Sequence, residues 1–164
     1  MILRRELARA HAGLRLEENN HKALPALSSP ANQAEWTAKS LADIEHFIRF
    51  MDKTGVATIQ PYMQPELAKR IGKWVPPEQQ NFFAIAQGRV PNSLFAHFYH
   101  WWDLAEMQVS PHPSPIRRGP LLYNIWVSRA EGNATAMEAM MLDAGLFDKE
   151  PRSREVVWIM QAQR

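Results

Sequence analysis

The sequence predicts an all-α fold, an irregular multi-helix bundle in which long proline-rich loops separate the helices. Good helix formers dominate the first segment, and apolar residues recur at helical spacing in several later ones. Only 7 of the 164 residues are glycine, and the 12 prolines are bunched between the periodic segments. The apolar fraction of 46% is sufficient for a core. We expect residues 1–164 to form a single helical domain or part of one.

The first two helices are indicated by composition and by spacing. Residues 2–21 are rich in Leu, Ala, Arg and Glu, and they predict a helix that ends before Pro25. A second helix is predicted over 31–53, with Gly55 as its C-terminal stop. The apolar residues that predict its buried face are Leu41, Ile44, Phe47, Ile48 and Met51.

The middle of the chain alternates between short helices and prolines. Residues 56–63 are expected to be extended, and a short helix is predicted over 65–71. Asn92 or Ser93 can cap a helix that runs to about 109. The following loop, 110–120, holds four prolines and is expected to be rigid.

Two helices are predicted in the last third of the chain. One runs from about 121 to 144, with Leu122, Trp126, Met137 and Met140 on one stripe and Gly145 as its stop. The other begins at Pro151 and is apolar over 156–160. Since no further element follows to cover it, we expect a fragment of a larger helical protein, a homo-oligomer, or a second chain that completes the fold.

Charge and cysteine content narrow the function classes. The formal charge is +2 with dispersed basic residues, which disfavours nucleic acid as a partner. The chain has no cysteine, so thiolate metal sites and cysteine nucleophiles are excluded. We find no secretory signal and no membrane-length apolar run, and we therefore expect a cytoplasmic protein without a membrane partner.

The densest group of possible metal ligands is His97, His100 and Asp103, at successive i, i+3 positions on the predicted helix. Imidazole nitrogens and a carboxylate oxygen suit zinc, iron or manganese. The alternative is that the histidines are half-buried core residues beside tryptophans. Asp43 and His46 form a weaker pair that could complete a site between helices.

A carboxylate pair and an arginine on the long helix are the second set of candidates. Glu131 and Glu138 are seven residues apart and are expected on nearly the same face, either as surface groups or covered by another element. Arg129 falls on the apolar stripe together with Asn133, so it would need a partner, such as one of the carboxylates or an anionic substrate. Alternatively, its guanidinium reaches water. Arg117 and Arg118 offer a second possible anion contact.

Four stretches of the chain resemble the bacterial family catalogued as domain of unknown function 885. They are Pro113-Ser114-Pro115-Ile116-Arg117-Arg118-Gly119-Pro120, Tyr123-Asn124-Ile125-Trp126, Arg129-Ala130-Glu131-Gly132 and Met140-Met141-Leu142-Asp143-Ala144-Gly145-Leu146-Phe147. The resemblance implies a larger all-helical protein similar in architecture to helical zinc metallopeptidases. It also implies a glutamate-bearing helix, matched by Glu131-Gly132 and Glu138, whereas Phe98 stands where the family motif has a glutamate after its first histidine.

The first functional hypothesis is therefore a metal-dependent hydrolase, peptidase- or amidase-like, or a fragment of one. Glu131 would polarise water and Arg129 would orient a small-molecule or peptide substrate. The divalent metal, zinc before the others, would be bound by His97, His100, Asp103 and Glu138. The alternative is a non-catalytic helical protein that self-associates or binds a partner through apolar aromatic and Met-rich faces. A third possibility is a pocket for an apolar ligand, lined by Trp101, Trp102 and Trp126.

Overall fold

A computed structural model describes residues 2–55, 57–89, 95–118 and 128–162, and within these ranges the fold is all-α, as predicted. No strand occurs in the described residues. A 3₁₀ turn, Pro77–Gln79, precedes α4, and a π-helical turn, Ser128–Gly132, leads into α6. The helices are α1 (Ile2–His21), α2 (Gln33–Thr54), α3 (Met63–Ala68), α4 (Phe82–Arg89), α5 (Phe95–Val109), α6 (Asn133–Asp143) and α7 (Pro151–Ala162).

Helix α1 packs along α7, and the two helices run antiparallel. Glu17 meets Arg154 at 2.7 Å, and Gly13 lies against the indole of Trp158. Val157, Trp158 and Met160 of α7 are buried. The cover that we expected from a second chain is thus supplied by α1, and oligomerisation stays a prediction.

Helix α2 begins and ends where its capping residues predict. The Asn32 side chain accepts a hydrogen bond from the Glu35 N–H at 3.0 Å, and the Glu35 carboxylate accepts one from the Ala31 N–H at 2.9 Å. This reciprocal arrangement satisfies amides at the first turn. Gly55 ends the helix at φ 66°, a left-handed conformation that glycine adopts without strain.

The core is centred on aromatic side chains of α2 and α5. The ring of Phe47 lies 5.9 Å from that of Phe98 and 6.1 Å, edge-on, from that of Trp102. Met63 and Leu67 of α3 are buried in the same cluster. Helix α5 also packs against α6, whose Met137 and Met141 belong to the core.

Several sequence predictions about faces and bounds are wrong. Leu41 is exposed, because the buried face of α2 runs through Trp36, Ser40, Ile44, Phe47 and Met51. Met140 is 54% exposed although Met137 is buried. The short helix predicted over 65–71 covers Met63–Ala68, and residues 57–60 form no strand.

The remaining bounds agree where the structure describes them. Gly145 ends the α6 region at φ 86°, as predicted. Asn92, Ser93, Leu122 and Trp126 lie outside the described residues. Among the described helices, none has the length and apolar character required to cross a membrane.

Candidate functional site

An ion pair between α5 and the π-helical turn borders a predominantly polar cavity. Arg129 donates from Nε to Oδ2 of Asp103 at 2.8 Å and from Nη2 to Oδ1 at 2.7 Å. Its Nη1 donates to the carbonyl oxygen of Arg117 at 2.7 Å. A two-point contact of this kind fixes the plane of the guanidinium as well as its position.

The local sequence explains how these groups meet. Asp103 lies one helical turn from Tyr99 and three residues before Glu106, so the three polar groups share a face of α5. Arg129 lies on the π turn, a geometry that recurs at functional sites because it changes the direction of side chains. The π turn thus aims Arg129 at α5.

The pKa directions agree with this placement. The hydrogen bond to Asp103 raises the pKa of Arg129, and burial lowers it by a smaller amount. Burial raises the pKa of Tyr99, and the charges of Asp103 and Glu106 raise it further. At neutral pH the site therefore holds a permanently charged guanidinium and a neutral phenol.

The ion pair borders a cavity of about 360 Å³. Helix α5 contributes Asp103 and Glu106, and the π turn and α6 contribute Arg129 and Asn133. The proline-rich loop contributes His112 and Arg117, and other lining residues are apolar.

Local hydrogen bonds fix the loop around His112 and Arg117, the two loop residues with polar side chains that line the cavity. The backbone N–H of Ser114 donates to Nδ1 of His112 at 3.0 Å, so Nε2 carries the proton of the neutral ring. The N–H groups of Arg117 and Arg118 both donate to the Ser114 carbonyl oxygen at 3.1 Å. His112 and Arg117 are thereby fixed at the cavity wall, while Arg118 is exposed and does not line it.

The structure brings together some of the predicted site residues. Asp103 and Arg129 meet directly. Arg129 therefore has a carboxylate partner, but this partner is Asp103, whereas the sequence had suggested Glu131 or Glu138. His100 is half-buried on α5 and Asn133 is exposed at the cavity. The side chain of His97 lies outside the described residues.

Glu131 and Glu138 do not share a face, contrary to the prediction. Glu131 is exposed, whereas Glu138 is 3% exposed within the buried face of α6. The prediction assumed a continuous α-helix, but Glu131 lies in the π turn, whose wider spacing shifts it out of register with α6. Of the two carboxylates, only Glu138 is covered.

The predicted metal centre stays a prediction. Among the side chains that the structure describes, no three His, Asp or Glu residues are grouped so that they could hold an ion. Asp103 directs both carboxylate oxygens to Arg129. Hydrolase activity and the zinc ligand set also stay predictions.

Two residues of the cavity were not singled out from the sequence. Glu106 is three residues after Asp103, so extending the same helical face would have found it. His112 stands between two prolines in the loop. Such a residue has a restricted backbone and an exposed ring, which is the signal that could have identified it.

Comparison with known proteins gives one match. A family model described as Domain of unknown function (DUF3303) matches residues 33–114, from the first residue of α2 to the loop after α5. The resemblance to domain of unknown function 885 is therefore wrong as a family assignment. No curated protein and no solved structure matches the chain.

Proposed function

The chain belongs to the family described as domain of unknown function DUF3303, and we propose that it binds a small hydroxy or amino acid in the cavity beside Asp103 and Arg129. The observation that carries this proposal is the fixed guanidinium of Arg129. Its Nε and one N–H of each terminal nitrogen are used within the protein, which leaves two of its five N–H groups for a ligand.

The other cavity groups favour a carboxylate next to that guanidinium. Arg117 lines the cavity and has an exposed side chain, so it supplies a positive charge beyond the neutralised Arg129 pair. His112 can donate from Nε2, and Asn133 from its amide. Four donor groups thus line the cavity and match the lone pairs of a carboxylate.

Glu106 favours a hydrogen-bond donor on the ligand, in addition to the carboxylate. Its carboxylate is an acceptor and carries a negative charge in the lining of the same cavity. A simple monocarboxylate would leave this acceptor without a ligand donor, whereas a hydroxyl or ammonium group on the ligand can satisfy it. We therefore infer an acid that bears a donor close to its carboxylate.

The test is calorimetric titration of the purified chain with glycolate, malate and serine, with propionate as the ligand that lacks the donor. Arg117→Ala is expected to weaken binding by about tenfold or more, equivalent to about 1.4 kcal/mol. Arg118→Ala is the matched control, because it removes a neighbouring arginine that does not line the cavity. Equal losses in the two variants, or no binding by any of the acids, would overturn the proposal.

A further inference from the structure

A second cleft lies between α2, α4, α7 and the segment that follows α1. It consists of two adjoining cavities of about 510 and 440 Å³ that share part of their walls. Each volume is in the range of small-molecule sites. The shared residues are Leu24, Ala26, Leu27, Arg89 and Arg152.

One cavity is bordered by charged side chains and contains a buried carboxyl group. Lys39 and Asp43 reach it from α2, and Glu150 and Ser153 reach it from the start of α7, where Ser153 donates to Glu150 at 2.9 Å. Oδ2 of Asp43 is buried and has no hydrogen-bond partner within the described part of the chain. A buried acceptor without a donor is costly unless a ligand or water satisfies it.

The other cavity has a group of large apolar side chains on its lining, beside Arg89, Arg152 and Glu155. Phe82 and Ile85 of α4 face it, together with Val156 and Ile159 of α7. Phe82 is 38% exposed, which is unusual for a ring of that size and leaves apolar surface open at this wall.

Two arginines stand where the cavities join. Arg152 donates from Nη1 to Glu155 at 2.7 Å and from Nη2 to the carbonyl oxygen of Leu24 at 2.6 Å. Its Nε is buried and has no acceptor among the described residues. Arg89 is exposed and makes one long contact, from Nε to Ser29 at 3.4 Å.

We propose that the cleft binds an amphipathic carboxylic acid, with its carboxylate between Asp43, Arg152 and Arg89 and its chain against Phe82 and Ile159. The carboxylate can accept from the buried Nε of Arg152 and from Arg89. A proton shared with Asp43 satisfies the buried Oδ2. The apolar side chains then remove the alkyl chain from water, so affinity is expected to rise about fourfold with each buried methylene.

The proposal predicts a pH dependence with a definite sign. Burial raises the pKa of Asp43 to about 7, the charge of Lys39 lowers it, and the charge of Glu150 raises it. The charged groups that line the cavity beside Asp43 are Lys39, Glu150, Arg89 and Arg152. A carboxylate ligand binds the protonated form of Asp43, so its affinity is expected to fall as the pH rises through 7.

The experiment is titration of the intact chain with decanoate, below its micelle concentration, at pH 6 and pH 8. From the fraction of Asp43 that is protonated, we expect binding roughly tenfold weaker at pH 8. Asp43→Asn keeps a donor at both pH values, so the two affinities should become equal. Phe82→Ser should weaken binding, whereas Val109→Ser, which removes an exposed apolar side chain elsewhere, should not.

Three outcomes would overturn the inference. They are no binding of decanoate, equal or tighter binding of decylamine, and an unchanged pH dependence in Asp43→Asn. Melting curves of each variant separate loss of binding from loss of fold. Because this cleft shares no lining residue with the cavity beside Arg129, the two binding proposals succeed or fail independently.

Discussion

Gly13→Ala is expected to destabilise the protein, although alanine is the better helix former. A Cβ atom at position 13 would lie 2.4 Å from Cε2, 2.6 Å from Cδ2 and 2.7 Å from Cζ2 of Trp158. Carbon atoms pack best at about 3.5–4.0 Å, so the indole or α1 must move by about 1 Å. The contact involves three atoms of a rigid ring on a buried residue, which leaves no flexible end to yield.

The sign follows from two opposing magnitudes. Replacing a helical glycine with alanine gains about 1 kcal/mol of helix propensity. Overpacking a close-packed contact costs about 1–3 kcal/mol. We expect a net loss of up to about 2 kcal/mol, which lowers Tm by up to roughly 8 °C for a domain of this size.

The assay is urea denaturation followed by circular dichroism, with Ala12→Gly measuring helix propensity on the exposed side of α1. In a Trp158→Leu background the clash is absent, and Gly13→Ala should then be stabilising. A stabilising effect of Gly13→Ala in the native chain, or the same effect in the Trp158→Leu background, would contradict a steric clash at this contact.

Two further predictions concern buried carboxyl groups. Arg154→Ala is expected to cost about 3 kcal/mol in urea denaturation, because Glu17 is 4% exposed and, among the described residues, would keep His21 alone, at 3.2 Å, as a charged partner. A cost below that of an exposed pair would contradict this prediction. The folded-state pKa of Asp43, about 7, lies above its ordinary 3.8, so the native chain loses stability as pH rises from about 4 to 7. The free energy of unfolding of Asp43→Asn should therefore exceed that of the native chain by up to about 4 kcal/mol at pH 8 and by almost nothing at pH 3. Asp52→Asn on the same helix is the control. A gain that does not depend on pH would count against a buried charge at Asp43.

The sequence was sufficient to predict the helices whose start, end and apolar spacing are marked by nearby residues. Periodic apolar residues and Gly55 predicted α2, and Pro151 marked the start of α7. The buried face of each helix was harder to predict. Leu41 is exposed because burial in α2 follows the neighbours that α3 and α5 supply, which no spacing within the helix encodes.

The candidate site was predictable only in part for the same reason. Arg129 on an apolar stripe indicated that a partner was needed, but Asp103 lies 26 residues away in the chain. Pairing them requires knowledge of how α5 packs against α6. The π turn could not be predicted either, because a local change in helical spacing leaves no distinct residue pattern. This turn places Glu131 and Glu138 on different faces.

The pairing of α1 with α7 also determines the order in which the chain can assemble. Residues 137 positions apart must meet for Glu17 to reach Arg154, and closing so long a loop is entropically unfavourable until the intervening helices are compact. The amides of α1 and α7 should thus gain protection from hydrogen exchange together and after those of α2 and α5. Any event that detaches α1 would expose the indole of Trp158 and leave the carboxylate of Glu17 without its arginine in the same step.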